Sequence, residues 1–182
     1  MRIRWDRCDT RQLAAIVSRA LERHGITAIL VGGACVAIYS ENRYVSGDLD
    51  FVTEVSLKKL AAPLGELGFR PVGGRHFEHP ECRAFLIDFP APPLSLGSDT
   101  VGEINSIRTP WGMIHLLNPT DCVRDRLAAY YHWDDPQGLE QALLVARLHN
   151  IDLACVGKWS LSENAREKFA AFRSRLRQQK ST

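Results

Sequence analysis

The chain has 182 residues, 45% of them hydrophobic and 24% charged, and a formal net charge of +2. This is the profile of an ordinary globular protein, one domain or one domain with a small appendage, long enough to bury a core. No apolar run approaches the roughly 18 residues of a membrane span, and MRIRWDRCDTRQ is too polar for a signal peptide, so the expected location is cytoplasmic. The five cysteines (Cys8, Cys35, Cys82, Cys122, Cys155) are odd in number and contain no C-x-x-C pair, which argues against a disulfide framework. Most of them read as small buried hydrophobes.

In chain order, 10–24 places Leu13, Ile16, Val17, Ala20 and Leu21 on one helical face, with Gly25 as the stop. TAILV is a short apolar strand, broken by Gly32 and Gly33, with a helix directly after them. DLDFV is the next strand, and 56–68 is a helix with Ser56 as cap and a weak point at Pro63. FRPVGGRHFEH reads as a hairpin on Gly73–Gly74, AFLIDF as a strand, and 94–102 as loop. EINSIRT and GMIHLL are strands on either side of Pro110–Trp111–Gly112. Three helices follow: PTDCVRDRLAAYYHW, LEQALLVARLHN and ENAREKFAAFRSRLRQQ, the last with a Phe169, Phe172, Leu176 stripe beneath its arginines.

The chemistry concentrates in VGGACVAIYSENRYVSGDLDFV, residues 31–52. Side chains two apart on a strand share a face, so Asp48 and Asp50 stand side by side. Two like charges there are costly to desolvate, and exposure, an arginine or a divalent cation could compensate them. Mg²⁺ takes carboxylate oxygens together with the phosphate oxygens of a nucleotide, and two-metal phosphoryl-transfer sites add a third carboxylate from a neighbouring strand. Asp88 in AFLIDF is that candidate; the structural alternative pairs it with an arginine such as Arg83 or Arg108. A strand, a Gly-Gly turn and a helix start leave backbone N–H groups free to hold phosphate.

V-G-G, then R-Y-V-S-G-D-L-D-F, then L-I-D-F resembles the nucleotidyltransferase superfamily, whose fold is shared with DNA polymerase beta. Within it, the pattern is most similar to the toxin-like enzymes of abortive-infection type IV (AbiEii-like) systems. The resemblance spans roughly 27–133 and is specific over 30–51. It implies an α/β (α+β) mixed-sheet core, here 1–117, with a helical C-terminal part, 118–182, ending in a basic helix. The implied reaction moves a nucleoside monophosphate from a nucleoside triphosphate, with Mg²⁺ or Mn²⁺, to an acceptor hydroxyl on RNA (a tRNA end) or protein.

By position, Gly32 and Gly33 line the triphosphate, Ser46 hydrogen-bonds it, and Arg43 is the arginine that precedes the S-x-D-L-D-F segment. Asp48, Asp50 and Asp88 hold metal, with Asp88 as general base. Arg126 in R-D-R-L, beside Arg124, takes the place of a phosphate-reaching lysine, and a fork replaces a point charge. A cognate antitoxin is an implied partner. A nucleotidyltransferase fold that binds or regulates without turnover is the rival reading, and a sugar transferase using D-x-D lacks room for a second domain.

Three further features have plainer readings. His76, His79 and Cys82 lack a fourth zinc ligand of suitable spacing. Trp111, Trp133 and Trp159 read as packing residues. The C-terminal cations Arg166, Lys168, Arg173, Arg175, Arg177 and Lys180, against Glu167, suit either an RNA backbone or a solvated helix face.

Overall fold

A computed structural model describes residues 3–97 and 99–178; Lys180 lies outside them. After a 3₁₀ turn at Trp5–Arg7, the chain runs α1 (Thr10–Arg23), β1 (Ile29–Val31), α2 (Gly32–Tyr39), β2 (Asp48–Val52) and α3 (Leu57–Glu66). Three strands follow, β3 (Arg70–Gly73), β4 (His76–Glu78) and β5 (Leu86–Asp88), then the pair β6 (Ser95–Leu96) and β7 (Asp99–Thr100). The hairpin β8 (Ile104–Thr109) and β9 (Gly112–Leu117) leads into α4 (Pro119–Trp133), α5 (Pro136–Leu148), α6 (Leu153–Ser162) and α7 (Arg166–Gln178).

Seven strands form one mixed sheet in the order β3-β4-β5-β2-β1-β9-β8. The parallel pairs are β2 with β5 and β1 with β9; the others are antiparallel. Chain segments far apart in sequence thereby become neighbours at the sheet centre, where the acids lie.

Helix α1 buries its expected face, Leu13, Ile16, Val17, Ala20 and Leu21, and Asp9 caps it by accepting from the Gln12 amide. Helix α2 is buried along its whole length, so it is apolar all round rather than amphipathic. It begins at the glycines themselves, not after them. Ser56 stands at the α3 N-cap but makes no side-chain cap bond, and Pro63 lies inside that helix. Two further expectations change. Residues 94–102, read as loop, contain the small β6–β7 ladder. Helix α6 was not among the expected elements; Asp152 caps it by accepting from the amides of Ala154 and Cys155.

Sheet and helices share one apolar core, from Leu30, Phe51 and Ile87 through Leu116 and Leu127 to Phe172 and Leu176. All five cysteines are free thiols, and four are buried. Among the described residues no helix is long and apolar enough to cross a membrane.

Candidate functional site

The parallel pairing of β2 with β5 sets Asp48 opposite Leu86, and Asp50 opposite Asp88. The antiparallel pairing of β1 with β2 sets Val31, the last strand residue before the glycines, opposite Asp50. Three remote pieces of sequence therefore meet at Asp50: the glycine turn, its own strand and the third acid. Leu49 and Phe51, which alternate with the aspartates, are fully buried, as a pleated strand covered on one face requires.

Gly32 has φ +69°, and a Cβ there would collide with Asp50 Oδ2. A side chain would thus be both strained and in the way, so the bare backbone can lie directly against the acid. Gly33 is enclosed by Ser46 and Tyr44; a Cβ on it would sit 2.9 Å from Ser46 Oγ. Ser46 is buried and donates to the Asp48 carbonyl at 2.8 Å, which holds the entry into β2. Asp48 itself is exposed at the start of the strand, and Arg43 is exposed on the preceding loop.

Asp50 is pushed up to about 6 by burial first and then by the charge of Asp88; Arg126 pulls the other way, and Asp125 and Asp48 add to the rise. Asp88 is buried, and Arg75, half-exposed on the β3–β4 hairpin, brings its Nε to 2.8 Å from Asp88 Oδ1. That oxygen nevertheless accepts no hydrogen bond. His76 Nε2 lies 3.5 Å from the same atom. The cation beside Asp88 is therefore Arg75, not Arg83 or Arg108.

Helix α4 completes the site. Asp125 accepts from the Gly32 amide at 3.2 Å, and Arg126 grips Asp125 with Nε at 2.9 Å and Nη2 at 2.6 Å. Asp125 was missed at the level of sequence. It stands between two arginines in R-D-R-L, where the cations drew the reading; an acid one residue from the phosphate-reaching position was the available signal. Arg124, by contrast, points into the core and pairs with Asp121 and Asp99.

These parts line a cavity of about 470 Å³. Gly32, Asp50, Asp125, Arg126 and Arg75 line it together with residues of the proline-rich segment from Pro90 to Gly97; Asp48 and Asp88 do not. Trp133 also lines it and is 76% exposed, which corrects its reading as a packing residue. Trp159 does pack, buried and donating to the Leu96 carbonyl at 3.0 Å, and Trp111 packs half-buried against the core.

The chemistry of the donor set suits a hard cation: the carboxylates of Asp50 and Asp88 stand on paired positions of β2 and β5, and Asp50 is pushed up by burial first and then by Asp88, a repulsion that a cation would relieve. Among the described residues, however, no group of three or more His, Cys, Asp and Glu is gathered as a ready cage. Asp50 and Asp88 are neighbours on paired strands, with Arg75 against Asp88.

The other motifs fall elsewhere. His79 is buried with its ring tilted against Trp5, centroids 4.4 Å apart, and Cys82 is also buried, whereas His76 lies beside Asp88. In α7, Phe169, Phe172 and Leu176 are buried as expected, and several cations above them are engaged within the chain. Lys168 bonds the carbonyls of Tyr130 and Tyr131, each at 2.8 Å, and Arg175 pairs with Glu140. Arg166, Arg173 and Arg177 line a groove with Lys158 between α6 and α7.

No protein-family model and no curated protein matches the chain. Solved structures do. An antigenic nucleotidyltransferase-like protein from Paracoccidioides brasiliensis superposes with a TM-score of 0.54 at 14% identity, over 75% of each chain. The antibiotic-resistance factor ANT(2'')-Ia, in its solution structure, gives 0.53 at 16% identity, over 94% of this chain and 95% of its own. Its crystal structure in complex with adenylyl-2"-tobramycin gives 0.50 at 16% identity, over 88% and 94%. At these identities the likeness is one of fold: the chain has the mixed α/β architecture of nucleotidyltransferases.

Proposed function

We propose that this protein transfers a nucleoside monophosphate from a nucleoside triphosphate to an acceptor hydroxyl. The observation that carries the reading is the meeting of Asp50, Asp88 and the Gly32 turn across three strands, with Asp50 and Gly32 lining a cavity that Arg126 also lines. Asp48, Asp50 and Asp88 would hold the divalent cation, Mg²⁺ or Mn²⁺. When bound, that ion neutralises phosphate charge and orients the reacting groups.

The chain's own residues do the rest. The Gly32 amide, now given to the Asp125 carboxylate, is a donor that a phosphate oxygen can take when Asp125 turns wholly to Arg126. Arg126, with Arg75, brings positive charge to the cavity, and Gly33 and Ser46 keep the turn close-packed. In this reading Asp88, released from Arg75, would accept the acceptor's proton, and catalysis rests on positioning and charge rather than covalent chemistry.

For the acceptor we retain RNA, a tRNA end in particular, or a protein side chain. A toxin role with an antitoxin partner would follow from either. ANT(2'')-Ia in complex with adenylyl-2"-tobramycin adds a small-molecule hydroxyl as a third class to include. The Arg166, Arg173 and Arg177 groove supports RNA, since its charges are of one sign.

One observation favours a second reading, a nucleotide-binding or regulatory module without turnover. Arg75 stands against Asp88 where a cation would be needed, and Asp125 holds the Gly32 amide. The two readings separate on α-phosphate-labelled triphosphates incubated with Mg²⁺ and total RNA, protein or aminoglycoside. An enzyme labels one fraction and Asp50→Asn loses the label; a silent module binds triphosphate but labels none.

A further inference from the structure

Helix α4 carries more of the cavity than its arginine. Arg126, Ala129 and Trp133 are spaced by three and four residues, so they lie along one helical face, and all three line the cavity. Arg126 is at the glycine turn; Trp133 is seven residues on, which at ~1.5 Å per residue is about 10 Å along the axis. A nucleoside triphosphate spans such a distance between its phosphates and its base.

The Trp133 ring is 76% exposed, although the other tryptophans of the sheet and helices are buried or half-buried. The His132 ring meets it edge-on at 6.0 Å, which leaves the ring faces uncovered by that contact. Asp134, next in the chain, takes a left-handed C-cap (φ 52°) and ends the helix there, so the indole stands on the last turn of a rigid element rather than on a loop. Pro90, Ala91, Pro93 and Leu94 line the same cavity and make that part of its lining largely apolar. A large exposed indole and an apolar stretch lining one cavity, with the glycine turn and Arg126 one nucleotide length away, have the elements of a stacking slot.

We infer that Trp133 is the platform on which the base of the triphosphate stacks, an inference that rests on the function proposed above. The lining near it offers little for reading a base edge. Among the described residues no Asn, Gln or His lines the cavity, and Ser95 is the one hydroxyl side chain that does. Stacking is available to every base because each has a π-face, so the site accepts all four triphosphates with purines bound more tightly.

The test is calorimetric binding, in Mg²⁺, of the four triphosphates and of inorganic tripolyphosphate to the wild type, Trp133→Ala and Trp133→Phe. Because the ring is exposed, neither variant should disturb the core, and thermal melts check this. The inference predicts that Trp133→Ala binds every triphosphate about 5- to 100-fold more weakly, the range of base–aromatic stacking. Tripolyphosphate binding is unchanged, and Trp133→Phe restores much of the loss. Quenching of the wild-type fluorescence by triphosphate, lost in Trp133→Phe, is the accompanying signal. Equal triphosphate binding by wild type and Trp133→Ala overturns the stacking platform while leaving the proposed function standing. No binding of triphosphate or tripolyphosphate by the wild type overturns the function, and the subsite with it.

Discussion

Helix α4 carries two clusters of acid and arginine within two turns, and they differ in kind. Asp121 and Arg124 are both nearly inaccessible. Arg124 Nη1 donates to Asp121 Oδ1 at 2.8 Å, Asp121 Oδ2 accepts from Gly102 and Asn118, and Asp99 closes the set. Arg124 also lies over the Trp159 ring at 5.3 Å. One turn later, Asp125 and Arg126 face the cavity, beside Asp50 and Asp88. There the acids outnumber their close cations, and Asp50 is pushed up to about 6 by burial and by Asp88. The first cluster is what a buried ion pair looks like when it holds a fold; the second keeps charge unsettled, as sites that bind ions and phosphates do.

The largest effect should come from breaking the settled cluster. Arg124→Ala leaves Asp121 buried without its ion partner and should lower folding stability by ~3–5 kcal/mol, read from urea midpoints. If the loss is within a few tenths of a kcal/mol, the two clusters are not different in kind. Gly32→Ala comes next. It imposes a positive φ on a residue with a Cβ and drives that Cβ into Asp50, which should cost ~1–3 kcal/mol and abolish triphosphate binding. Binding that survives would mean that the glycine turn is not where the phosphates lie.

Asp50→Asn should act in the opposite sense on stability. Because the folded carboxyl titrates near 6 and the unfolded one near 3.8, the folded state keeps a proton that the unfolded state has lost. Stability from this group therefore falls as pH rises through that window, by on the order of 2 kcal/mol, and stays low above it. Without Mg²⁺, Asp50→Asn should be the more stable protein at pH 8 and lose that advantage at pH 4. Thermal melts of the two proteins at both values check the sign. The smallest effect is expected from Arg75→Gln. A half-exposed arginine beside Asp88 should contribute no more than ~1 kcal/mol to stability. If Arg75 occupies the place of a cation, the variant should bind Mg²⁺ more tightly; weaker binding would instead make Arg75 a phosphate ligand.

Much of this was readable from residues. Alternation put Asp48 and Asp50 on one face and buried Leu49 and Phe51, and Pro119 announced the start of α4. The pairing of β2 with β5 was harder to read, because helix α3 and strands β3 and β4 intervene and register is set by the sheet. Arg75 was overlooked because a hairpin tip is brought beside Asp88 by the β4–β5 pairing, whereas Arg83 is nearer in sequence. Helix α6 hid because LACVGKWSLS carries a glycine and a weak apolar stripe; the Asp152 cap was its signal. Trp133 was read as packing because an indole usually is, and only its place at the end of α4 reveals the exposed ring.

The central claim is that the unsettled acids beside the glycine turn serve nucleotidyl transfer. Incubation of the wild type and Asp50→Asn with each α-phosphate-labelled triphosphate, Mg²⁺ and total RNA, protein or aminoglycoside tests it most directly. We expect one acceptor fraction to take up label with the wild type, and at least a thousandfold less with Asp50→Asn. Equal labelling by both proteins, or none by the wild type with any triphosphate, would contradict it.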